Sequence, residues 1–162
     1  EWVEIEGPLH EEWPPRGHQV LYGDLPLQPA NPNSPAKDLR VISNQPEADA
    51  GRLLAAFLPK AFRRPVSEDE VSEHLALVKQ QMAGGRRFDD ALRAAYKMAL
   101  CSPNFLFLQE KPGRLDDHAL AARLSYGLWS AAPDDELTAL AARFNEQVKA
   151  YKAKAAAAAP AK

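Results

Sequence analysis

The side chains best able to do chemistry in this chain are four histidines, one cysteine and a few serines and arginines. Glu70 and His74 stand four apart, so on a helix they share a face and could offer two metal ligands. No third ligand is in view, and Glu70 has a competing task at a helix start, so the pair reads as structural. His118 falls in the first turn of a helix beside Asp116 and Asp117, which places it at the surface rather than on a metal. His10 and His18 lie in a Pro-rich stretch. His18 has the stronger claim on a site, because Trp13-Pro14-Pro15-Arg16-Gly17-His18 looks like an ordered loop with aromatic company. Packing of that loop is the competing reading.

Cys101 follows Leu100 at a helix C-terminus, where the negative end of the dipole would raise a thiol's pKa. It reads as a buried structural thiol. Ser102 and Ser125 lack a Gly-x-Ser-x-Gly setting, so no acyl-transfer triad is supported. Arg63-Arg64 and Arg86-Arg87 are short basic pairs, too small for a nucleic-acid stripe. Tyr126 and Trp129, three apart on one helix, read as core. Trp2 and Trp13 could stack on sugar rings if exposed, or fill a seam between domains. There is no Gly-rich phosphate loop. The residues therefore nominate no catalytic residue and no metal site.

What positions these residues is a joint, Phe62-Arg63-Arg64-Pro65-Val66-Ser67-Glu68-Asp69-Glu70-Val71. Pro65 pushes Arg64 out of the α region and stops one helix. Ser67 and Glu70 have the spacing of a capping box, and Val66 and Val71 that of a hydrophobic staple. Glu68, Asp69 and Glu70 suit the positive end of the next helix, and Arg63 and Arg64 the negative end of the last.

The chain has 162 residues, with 20 Lys and Arg against 22 Asp and Glu, so net charge drives it toward neither nucleic acid nor an anionic membrane. No apolar run approaches the ~18 residues of a membrane span. One cysteine allows no internal disulfide, no Cys-rich zinc site and no C-x-x-C-H haem attachment.

Val3 and Ile5 alternate with Glu4 and Glu6, the pattern of a half-exposed strand left from a β-domain. Residues 8–35 hold seven of the fourteen prolines and read as extended, pinned by Trp13, Tyr22, Leu25 and Leu27. Leu39 and Val41 suggest a short strand. Helices are expected over 46–62 (kinked at Pro59), 67–82 (ended by Gly84-Gly85) and 88–101. Ser102-Pro103 restarts a short turn, and Phe105-Leu106-Phe107-Leu108 should plug the core. Asp116 caps a helix whose inward stripe is Leu120, Leu124, Leu128 and Trp129. Asp134, Asp135 and Glu136 open a last helix bearing Leu137, Leu140, Ala141 and Phe144, and a frayed Lys/Ala tail follows Asn145. The expected fold is mainly α: a small antiparallel bundle of four to five helices with an N-terminal β-strand remnant and a Pro-rich extended segment. Its divisions are 1–45, 46–111, 112–144 and the tail 145–162.

Ala61-Phe62-Arg63-Arg64-Pro65-Val66, Phe88-Asp89-Asp90-Ala91-Leu92-Arg93-Ala94 and Leu100-Cys101-Ser102-Pro103-Asn104-Phe105-Leu106-Phe107 resemble the planctomycete-specific domain of unknown function 1595. Leu115-Asp116-Asp117, the run Leu120 to Ser130, and Pro133-Asp134-Asp135-Glu136-Leu137 resemble the start of its usual partner, domain of unknown function 1592. The resemblance implies an exported, multidomain parent, periplasmic or at the cell surface, often carrying a c-type cytochrome domain and sometimes a carbohydrate-binding-like β-domain. It carries over no catalytic residues. The resulting expectation is a non-catalytic structural or interaction module that packs against sibling domains. Haem would sit only in a separate domain of the parent, and there is no nucleic-acid partner and no membrane span. Two alternatives stand beside it: part of a redox or haem-handling enzyme with His18 or a Met near the cofactor, and a glycan-binding contribution from Trp2 and Trp13.

Overall fold

A computed structural model describes residues 3, 12–29, 39–108, 110 and 112–158. Their elements, in order, are α1 (Arg16–Tyr22), β1 (Leu27–Pro29), β2 (Leu39–Val41), α2 (Pro46–Phe62), α3 (Glu68–Ala83), α4 (Phe88–Leu100), α5 (Pro103–Leu106), α6 (Asp117–Trp129) and α7 (Asp135–Ala158). The protein is mainly α, as the helical periodicity requires. Contacts divide it into two compact units, Glu1–Phe57 with Glu68–Met98, and Leu58–Ser67 with Ala99–Lys162.

In the first unit, β1 and β2 pair antiparallel with Leu27 opposite Val41, Gln28 opposite Arg40 and Pro29 opposite Leu39. Pro29 is tolerated because a two-stranded sheet has only edge strands. The strand expected over residues 1–6 lies outside the described residues except for Val3, which is exposed and not in a strand.

The Pro-rich stretch is not wholly extended, as the sequence suggested. Seven of its residues form α1, whose C-terminus turns at Gly23 with φ 60°. A Cβ there would take a left-handed conformation and meet Leu53 Cδ2 at 3.4 Å. The Tyr96 hydroxyl, reaching from α4, donates to the Leu21 carbonyl of this helix. Burial raises the Tyr96 phenol well above its ordinary pKa, so it remains a donor. Phe57 packs on the Tyr96 ring at 4.5 Å between centroids.

The core of this unit comes from Ala50, Leu53 and Leu54 of α2, Val78 of α3, and Ala91, Leu92, Ala95 and Tyr96 of α4. α3 begins right after Ser67 with three acids in its first turn. It ends in a Schellman motif: Arg86 N–H donates to Gln81 O at 3.1 Å and Gly85 N–H to Met82 O at 2.9 Å, with Gly85 at φ 82°.

In the second unit, the last turn of α2 runs through Pro59 and buries Leu58, Ala61 and Phe62. Ser102 precedes α5, but its hydroxyl turns back to donate to Ala99 O at 2.7 Å instead of capping. Asp116 does cap α6, accepting from Ala119 N–H at 2.8 Å, and Asp134 caps α7 by accepting from Leu137 N–H at 2.8 Å. Helix α7 continues through Ala158, well past Asn145, so the Lys/Ala stretch up to that residue is helical and not frayed. The Phe105 to Leu108 run does not plug the core: Phe105 is half-buried and Leu106, Phe107 and Leu108 are exposed.

Candidate functional site

Arg63 organises the second unit. It ends α2 at φ 57°, a left-handed conformation costly for any residue with a Cβ. That turn aims its guanidinium at α5. One Nη donates to the carbonyls of Asn104 (3.1 Å), Phe105 (2.9 Å) and Phe107 (3.3 Å). The other approaches the Tyr126 hydroxyl at 3.5 Å, and the guanidinium carbon stands 5.7 Å from the Phe105 ring centroid and 5.8 Å from that of Tyr126. A four-residue helix has almost no internal hydrogen bonds, so this clamp supplies the partners its carbonyls need. Arg64 stacks on Phe62 at 5.5 Å and donates to the Pro65 carbonyl at 3.0 Å. Both arginines of the pair thus hold the joint together.

Beside the clamp is a small cleft of about 50 Å³, lined among others by Arg64, Asn104, Glu110, Asp116 and His118. Glu110 is held by a two-pronged ion pair with Arg123, which keeps its carboxyl below the ordinary range. His118 is buried, with 8% of its surface exposed, and not at the surface as its place in an acidic first turn suggested. The cause is the face it shares with Ala121, Ala122 and Ser125, the inner face of α6. The cleft has room for a few waters, far less than the roughly 300 Å³ of a small-molecule pocket.

The remaining candidates separate. His74 is a core histidine whose Nδ1 lies 2.7 Å from the Glu70 carbonyl oxygen in its own helix, so Glu70 and His74 are not a ligand pair. No group of three or more His, Cys, Asp or Glu that could hold a metal occurs among the described residues. His18 is on α1, its ring 4.8 Å from that of Tyr22, and burial lowers its pKa toward the neutral imidazole. Cys101 is exposed, not buried, because it falls on the turn after α4. Arg87 pairs with Asp89 at 3.3 Å and Asp90 at 3.0 Å. It lines an open groove of about 420 Å³ with Arg40 and Ser43, whose hydroxyl donates to Asp49 at 2.6 Å. Trp13 is 64% exposed. Trp2 and His10 lie outside them.

The largest departure from the sequence reading is on α6. Leu120, Leu124, Leu128 and Trp129 were the expected core stripe, yet all four are exposed, Trp129 by 64%. Tyr126 is exposed as well, so Tyr126 and Trp129 are not core. The small-residue face of α6 is buried instead. Leu140, Phe144 and Val148 of α7 are exposed too. Leu120, Leu124, Leu140 and Phe144 line a groove of about 240 Å³ between the two helices. A wider one of about 500 Å³ shares Leu137 and Leu140 with it and ends at Trp129, Asp134 and Glu136. Leu120, Leu124, Leu140 and Phe144 together expose on the order of 300 Å² of apolar surface, taking ~130 Å² for a leucine and ~200 Å² for an aromatic ring. That is within the range of a monomer's largest patch, and such patches often mark interaction sites.

No helix is long and apolar enough to cross a membrane among the described residues. No curated protein and no solved structure matches the chain. Residues 49–110 match a family described as PSD5, protein of unknown function (DUF1595), and residues 115–157 one described as PSD4, protein of unknown function (DUF1592). From Asp49 to residue 157, then, the chain carries a DUF1595 segment followed by a DUF1592 segment, and its clamp joint and its apolar helix pair fall within them.

Proposed function

We propose that the chain is a non-catalytic interaction module of a larger exported protein whose other domains include c-type cytochromes. It docks on a sibling domain through the outer face of α6 and α7. The supporting observation is that face: leucine, phenylalanine and tryptophan side chains stand in water on two neighbouring helices. Export and the cytochrome link rest on the resemblance to the two families.

Hydrogen exchange tests the reading. Adding the parent's sibling domains to this chain in trans should slow exchange across residues 117–148. Unchanged exchange there would overturn it. A C-x-x-C-H in the parent chain would support the cytochrome link.

Glycan binding keeps one supporting observation, the exposed Trp13 ring. Its test is glycan-array binding that is lost in Trp13→Ala. A haem-handling role would rest on His18, whose ring packs on Tyr22 and whose Nε2 is buried without a hydrogen-bond partner among the described residues.

A further inference from the structure

We propose that the α6–α7 groove receives a basic amphipathic helix, one with an apolar stripe flanked by Lys or Arg. This rests on the interaction-module reading and gives the partner a chemistry. Three features of the groove select it.

The first is the spacing of the apolar contacts. Leu120 and Leu124 line it four residues apart on α6, and Leu137, Leu140 and Phe144 three or four apart on α7. The α7 row extends over about two turns, roughly 10 Å, and the α6 pair over about one. An apolar stripe at i, i+3, i+4 and i+7 on an incoming helix matches rows of that length. The walls are helical, with backbone groups already paired, so no sheet edge is offered to an extended strand.

The second is charge. The charged side chains lining the two grooves are Asp117, Asp134 and Glu136, all acidic. Asp134 uses one oxygen to cap α7, and Glu136 makes no ion pair among the described residues. A second copy of this chain would bring an equally acidic rim to the contact, so like charges would meet. A basic partner gains where a second copy would lose.

The third is Trp129. Its exposed ring borders the wider groove beside both carboxylates. A guanidinium or ammonium over the indole, with Asp134 and Glu136 alongside, would combine cation–π and ionic attraction.

The test uses the full chain and two helical peptides of about 16 residues with the same leucine stripe, one flanked by Lys and Arg and its twin by Glu. The basic peptide should bind at least tenfold tighter by calorimetry, and less tightly as salt rises. The Asp134→Asn/Glu136→Gln double variant should weaken it about tenfold while Asn preserves the cap. Leu124→Ser should abolish binding with the circular dichroism spectrum unchanged, because Leu124 is exposed. Equal binding of the two peptides would overturn the proposal. So would self-association of the chain that Leu124→Ser dissolves. If sibling domains protect residues 117–148 while the basic peptide shows no preference, the module reading stands and this inference fails. If neither protects the face, the module reading itself fails.

Discussion

Replacing Arg63 should unsettle the second unit more than any other single change at its surface. The wild-type side chain makes three charge-assisted bonds to the carbonyls of Asn104, Phe105 and Phe107, the first two part-buried. A hydrogen bond to a charged group is worth about 1.5–3 kcal/mol, and an exposed one less because water replaces it. Two cation–π contacts add about 0.5 kcal/mol each. Counting the two part-buried bonds at the low end, adding both ring contacts and leaving out the third bond, Arg63→Ala should cost about 4 kcal/mol. Arg63→Lys should cost nearly as much, since an ammonium on a flexible stem cannot reach three carbonyls and two rings from one position.

Arg63→Gly separates the clamp from the backbone. It loses the same contacts but removes the left-handed strain of φ 57°, so it should be about 1 kcal/mol more stable than Arg63→Ala. Urea denaturation followed by circular dichroism gives the ranking, and hydrogen exchange should place the loss in residues 103–129. A loss below about 0.5 kcal/mol in Arg63→Ala, or an alanine variant at least as stable as the glycine one, would refute the clamp.

Gly23→Ala should cost about 1 kcal/mol or more, measurable as a lower urea midpoint, because Gly23 holds φ 60° with Leu53 Cδ2 already 3.4 Å from the site of a Cβ. Asp116→Ala should cost about 1 kcal/mol through loss of the Ala119 bond, while Asp116→Asn stays close to wild type. His18 gives the chain a pH dependence of known sign. Burial lowers its folded pKa, so the unfolded chain takes up that proton first as the pH falls. Its contribution is complete above the unfolded value of about 6.5 and is lost on descending to the lower folded value. Thermal melts between pH 7.5 and 5 should show this loss, and His18→Gln should flatten it. Glu110, whose folded pKa is depressed by Arg123, acts in a separate window: its contribution is present above the carboxylate range and lost below it.

Signals that act within one turn of chain were legible in the sequence. Gly84-Gly85 ends α3 with both bonds of its motif, Asp116 caps α6, and three acids open α3. These depend on local backbone donors, which residue type alone predicts. Helix α1 escaped notice because the prolines around it dominate its composition. A seven-residue helix is marginal by itself, and part of what holds this one is Tyr96, 75 positions away in sequence. Cys101 and His118 were misplaced for a related reason. Their exposure is set by which side of a turn or helix meets the rest of the unit, and no local signal reports that.

Helix α6 shows why the choice of face was hard, and why the exposed face matters. His118, Ala121, Ala122 and Ser125 form one stripe and Leu120, Leu124 and Leu128 another, while Trp129 is exposed as the last residue of the helix. Reasoning from hydrophobicity puts the larger residues inside. The fold buries the smaller ones, whose size lets neighbouring backbone approach closely, and turns the leucines outward. A helix whose apolar arc is wider than its own unit covers has part of that arc free for a second layer. The same holds for α7, where Ala141 is buried while Leu140 and Phe144 are exposed next to it. Two adjacent helices with the same division are hard to account for by chance placement of single apolar residues, which would scatter. Leu124→Ser should therefore leave stability within about 0.5 kcal/mol of wild type, as for any exposed site, and yet remove binding. That pairing of outcomes, neutral for folding and decisive for association, separates a docking face from a misassigned core.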